Sequence, residues 1–151
     1  MSTRVALAFR ESPHRQLRQH GIEARVIRLA VDFAGWDGAQ WLRYHDAWID
    51  TGAPLTLLPE PTWRNLQVAV LAHGLSVPIF GKTIPADLGE LYVAVTDDTA
   101  FSPALRIRAY LCHSDELPIL LGMDGVLTRS VLHCNHARRG AYLDFADEPS
   151  A

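Results

Sequence analysis

From Val5 to Phe145 the sequence is a succession of short apolar segments broken by turn residues, and this pattern narrows the fold more than any other feature. Val5, Leu7 and Phe9 alternate with smaller or polar neighbours, the period of a half-buried strand. Residues 24–33 are rich in Val, Ile and Leu; Gly35-Trp36-Asp37-Gly38 carries turn chemistry; residues 41–50 read as the returning strand of a hairpin. Further strands are expected over 77–80, 91–95, 105–111, 118–122, 131–135 and 141–145, with turns around Gly81-Lys82 and Arg138-Arg139-Gly140. Two helices are expected. After Pro59-Glu60-Pro61, the residues Trp63, Leu66, Val70 and Leu71 recur at helical spacing with Gly74 as a stop, and a shorter helix covers 124–128. Strands of about 5–9 residues with short connections do not form βαβ units; they suit an all-β fold with two short helices.

At 151 residues the chain has the size of one domain, 1–151, large enough to bury a core without staples. A net charge of −3 offers nothing to a phosphate backbone, so no nucleic-acid partner is expected. No stretch reaches the roughly 18 apolar residues of a membrane span, and the first residues lack a signal-type apolar region, so no membrane partner and a cytoplasmic location are expected. Cys112 and Cys134 are then expected as free thiols. Cys112-His113 and His133-Cys134-Asn135-His136 contain zinc-ligand residue types. His133 and Cys134 are adjacent, however, so a strand points them to opposite faces, and no Cys-x-x-Cys occurs. Ordinary strand packing and no metal are expected there.

The chemistry is concentrated in one run, Ala47-Trp48-Ile49-Asp50-Thr51-Gly52-Ala53-Pro54-Leu55-Thr56-Leu57-Leu58-Pro59. An apolar strand stops at Asp-Thr-Gly, which sets a carboxylate at a strand end on a turn that Gly52 accommodates. Alone, such a tripeptide also fits an ordinary β-turn. Far downstream stands a second run, Ile119-Leu120-Leu121-Gly122-Met123-Asp124-Gly125-Val126-Leu127.

Together the two runs resemble the retropepsin-like aspartic proteases, bacterial single-domain members more than viral ones. The resemblance implies a closed acid-protease β-barrel, a single lobe, that hydrolyses peptide bonds as a homodimer. Asp50 would be the catalytic carboxylate, Thr51 would hydrogen-bond across the two-fold axis, and Gly52 and Ala53 would present backbone to the substrate. Leu120, Leu121 and Gly122 would pass behind the loop, and Asp124 would satisfy local backbone donors. Phe80, Gly81 and Lys82 would form the tip of a flap over the peptide or protein substrate. No cofactor is implied.

Such hydrolysis requires one ionised and one protonated carboxylate around a water. Two carboxylates about 3 Å apart at an effective dielectric of about 20 repel by roughly 5–6 kcal/mol, so they share one proton, the known behaviour of aspartic proteases as a class. Asp98-Thr99-Ala100 superficially resembles a second copy but lacks the glycine and has no second apolar-Gly-x-Asp run after it. The second carboxylate is therefore expected from an identical chain on a two-fold axis. Two departures from viral members stand out: Pro54 replaces an Asp and Met123 an Arg that pair there, so both partners of that ion pair are missing together. They leave room for an alternative, a peptide-binding or dimerisation module of the same fold without useful turnover.

Overall fold

The computed structural model describes residues 2–146. They are dominated by strands, with short helices only: β1 (Ser2–Ala6), β2 (Ala8–Pro13), α1 (Arg15–Gln19), β3 (Arg25–Trp36), β4 (Trp41–Ile49), β5 (Thr56–Leu58), α2 (Glu60–Trp63), β6 (Ala69–Ile79), β7 (Lys82–Thr96), β8 (Leu105–Cys112), β9 (Leu120–Leu121), a 3-10 turn at Leu127–Arg129, β10 (Ser130–Asn135) and β11 (Gly140–Ala146). The all-β class with two short α-helices is as the strand pattern implies.

Strand pairing runs in the order β2-β3-β4-β9-β5-β8-β7-β6, and β3 also pairs with β7. That extra pairing, from Asp32 opposite Thr96 to Gly35 opposite Val93, joins the ends of β3-β4-β9-β5-β8-β7 into a closed barrel. A closed barrel removes the unpaired edges that would otherwise template association. Its interior is filled by alternate residues of each strand, among them Phe33, Leu91, Val93, Val95, Leu105, Ile107 and Leu111, all at most 2% exposed. A separate sheet, β1-β11-β10, brings the two ends of the chain together and contributes Val5, Leu143 and Phe145 to the same core.

Several local expectations change. The early strand is two: β1 pairs with β11 and β2 with β3, the switch falling at Leu7. Gly35 and Trp36 belong to β3, and only residues 37–40 turn, held by Asp37, whose carboxylate accepts the N–H groups of Ala39 and Gln40. The helix expected over 63–74 is a single turn, Glu60–Trp63, and Val70 and Leu71 lie in β6 instead. Alternation and helical spacing coincide over so short an apolar run, and the fifteen-residue β7 supplies a complete hydrogen-bonding partner for β6. Gly74, with φ +73, marks a bulge in that strand and not a helix end. The helix expected over 124–128 is replaced by turns followed by the 3-10 turn at Leu127–Arg129.

Candidate active site

Asp50 directly follows β4, and Thr56 opens β5. These two strands do not pair with each other. β9 lies between them, parallel to β4 (Trp48 opposite Leu120, Ile49 opposite Leu121) and antiparallel to β5 (Leu57 opposite Leu120). The loop 50–55 is therefore forced to arch over the end of β9. Each side of the arch is tied to β9 and its continuation. The Asp50 N–H donates to the Leu121 carbonyl at 2.9 Å, the Met123 N–H to the Ala53 carbonyl at 2.9 Å, and the Asp124 N–H to the Pro54 carbonyl at 3.0 Å. Beneath the arch the buried Thr56 hydroxyl accepts the Gly122 N–H at 3.1 Å. Gly122 is the only residue type that fits: a Cβ there would lie 2.5 Å from the Leu55 carbonyl carbon and oxygen and 2.7 Å from the Ala53 oxygen.

Within the arch, Asp50 is half-buried, and one of its carboxylate oxygens accepts the Gly52 N–H at 3.0 Å. The Ala53 N–H donates back to the Asp50 carbonyl at 3.2 Å. These bonds fix the carboxylate at the mouth of the loop, beside the exposed Thr51 and Gly52. Pro54 is exposed and Met123 is 37% exposed, so the two positions that depart from viral members both lie at the surface of the single chain.

Asp124 acts differently from the expectation that it would satisfy its own turn. Its carboxylate reaches β8, accepting the Arg108 backbone N–H at 3.2 Å and the Arg108 guanidinium at 3.2 and 2.8 Å. The guanidinium holds the Asp124 carboxyl below the usual carboxylate range, against the smaller opposing effect of burial. Arg108 was not legible as a site residue, because β8 belongs to neither motif and a strand arginine carries no mark of the aspartate 16 residues on that it meets. Only its alternation, with polar Arg106 and Arg108 between buried Leu105, Ile107 and Ala109, signalled an outward face.

The hairpin β6–β7 closes at Phe80 and Gly81, with φ of +50° and +75°, between the paired Ile79 and Lys82. Two consecutive positive φ values make the tight mirror-image turn that matches strand twist. Phe80 is 59% exposed, and Gly81 and Lys82 are exposed beside it. Below the tip, Val77, Ile79, Ile84 and Ala86 pack in one cluster with Leu57, Leu120 and Trp48. These last three belong to the strands that carry the Asp50 loop, so the hairpin's apolar face joins that loop's foundation while its tip stays free. Trp63 buttresses the cluster's far end by donating its indole N–H to the Cys112 carbonyl at 2.9 Å.

The Asp98-Thr99-Ala100 segment is a surface turn. The neighbouring Asp97 carboxylate accepts the N–H groups of Ala6, Thr99 and Ala100 at 2.6–2.7 Å. Cys112 is buried within the hairpin cluster, whereas Cys134 is exposed on β10.

Over 96% of its length the chain superimposes on 92% of a retropepsin-like aspartic protease from Rickettsia conorii, with a TM-score of 0.54 and 15% sequence identity. The fold is retropepsin-like. No protein-family model matches the sequence, and no curated protein does. At that identity the likeness is one of fold. No helix among the described residues is long and apolar enough to cross a membrane.

Proposed function

We propose that the chain is one half of a homodimeric aspartic endopeptidase. The observation that carries the reading is the half-buried Asp50 carboxylate, fixed at the mouth of an arch that its own strands cannot close, within a retropepsin-like fold. Two such arches on a two-fold axis bring the carboxylates together, and Thr51 of each bridges to the other loop. The dyad shares one proton. The ionised member removes a proton from the water as its oxygen attacks the scissile carbonyl, and the protonated member polarises that carbonyl. Collapse of the tetrahedral species breaks the C–N bond and transfers a proton to the leaving nitrogen. Gly52 and Ala53 hold the peptide backbone, and Phe80, Gly81 and Lys82 close over it in extended form and exclude bulk water. The reaction needs no cofactor and no metal.

Incubation of the full chain with a peptide library across pH 3–8, alongside Asp50→Asn, tests this. Cleavage that disappears in the variant, from a species sedimenting as a dimer, is the expected result. Peptide binding with no Asp50-dependent cleavage at any pH refutes the protease and supports the binding module, for which Pro54 and Met123 leave room.

A further inference from the structure

In the strand next to the one that ends at Asp50 stands an arginine, Arg28, with no carboxylate partner among the described residues. In the β3–β4 ladder Ala30 lies opposite Trp48, so continuing that register sets Arg28 opposite position 50. Residues two apart on a strand share a face, which puts Arg28, Ala30 and Trp48 on one side of the sheet, at the end of β4 that leads into Asp50. Both Arg28 and Trp48 are half-buried, and the guanidinium carbon lies over the indole, 4.3 Å from its ring centroid. Other arginines of these strands are neutralised: Arg10 by Asp46, Arg25 by Glu11, Arg43 by Asp32 and Asp98. No carboxylate among the described residues lies within 4.0 Å of Arg28.

Stacking on an indole holds a guanidinium in place and strips part of its water, while its N–H edge stays free to donate. The same indole packs in the cluster that holds the β6–β7 hairpin, below its tip, against the strands of the Asp50 loop, so cation and ring stand where that hairpin meets the strand that ends at Asp50. A planar fork of donors that is already fixed matches a carboxylate bidentately. We infer that Arg28, held on Trp48, selects peptides with an Asp or Glu side chain beside the scissile bond. This rests on reading the Asp50 loop and the hairpin tip as a peptide site, as proposed above, and adds the chemistry of the preferred substrate.

The test separates binding from turnover. Full-length Asp50→Asn is titrated with two extended peptide libraries, randomised except at one central position that is Glu in the first and Gln in the second. The Glu library is expected to bind about tenfold more tightly, a gap of about 1.4 kcal/mol. Arg28→Gln in the same background abolishes the gap, and Arg28→Lys, which keeps the charge and the aliphatic stem, retains part of it. Equal binding of the two libraries, or a gap that survives Arg28→Gln, overturns the inference. So does dissociation of the dimer by Arg28→Gln, which would assign the cation to the subunit interface. Asp50-dependent cleavage by the wild type without acidic preference refutes the role of Arg28 and leaves the protease standing. Acidic preference in binding without any cleavage does the reverse.

Discussion

Gly122→Ala is the most demanding test of how the arch is built. The added methyl would sit 2.5 Å from the carbonyl carbon and oxygen of Leu55 and 2.7 Å from the oxygen of Ala53. All three are backbone atoms of the Asp50 loop, so no side-chain rotation relieves the contact. The loop must lift by about an ångström to restore ordinary van der Waals spacing. Lifting it stretches the Met123-to-Ala53 and Asp124-to-Pro54 hydrogen bonds, now 2.9 and 3.0 Å. Overpacking of this kind costs about 1–3 kcal/mol, and each lost bond about 1 kcal/mol more. The sum, about 3–5 kcal/mol, is a large part of the 5–15 kcal/mol that holds a typical domain. Urea unfolding followed by tryptophan fluorescence reads it directly. With a slope of about 2 kcal/mol per molar, the midpoint falls by about 1.5–2.5 M. Gly140→Ala is the control, since a Cβ at Gly140 meets nothing within 4 Å. A Gly122→Ala midpoint within about 0.3 M of wild type would refute the claim that β9 and the loop are locked in contact.

Asp124→Asn should lower stability at neutral pH by about 1 kcal/mol, because the Arg108 tie is partly exposed. The Asp124 carboxyl titrates below its unfolded value, so its contribution is present above about pH 4 and fades as pH falls through the folded value. The wild-type and variant unfolding curves should therefore converge in acid; a constant difference down to pH 2 would rule the pair out. Phe80→Asn should raise the melting temperature by about 2–4 °C, since asparagine tolerates the +50° φ that strains phenylalanine, while peptide cleavage falls through loss of the ring at the hairpin tip. A lower melting temperature would contradict the strain. Burial pushes the Cys112 thiol up to about 11, whereas Cys134 is exposed. A thiol reagent at pH 8 should label Cys134 within minutes and Cys112 only on unfolding, read by mass spectrometry of the peptides; equal labelling would count against the packing of the hairpin cluster.

The candidate site was legible in part because its constraints are local. Asp50-Thr51-Gly52 ends an apolar strand, and Leu120-Leu121-Gly122 is apolar enough to be buried. Neither run declares that β9 inserts between β4 and β5, because that pairing joins segments some seventy residues apart and no turn chemistry encodes it. Arg108 was missed although only 16 residues separate it from Asp124, because a surface arginine on a strand carries no mark of the aspartate it will meet. Val70 and Leu71 misled in the opposite way, since a few apolar residues satisfy helical and extended patterns equally until a partner strand decides.

By itself the sequence determined the class of fold and singled out Asp50 as the candidate reactive group. Alternation, turn residues and glycine positions are set by backbone sterics and by which side chains shun water, and both act within a few residues. Only the tertiary structure decided the closure of the barrel by β3 and β7, the arch of Asp50 over Gly122, and the stacking of Arg28 on Trp48. Those depend on which distant strands lie side by side, a choice fixed by filling one core at close-packed density and leaving no buried backbone group unpaired.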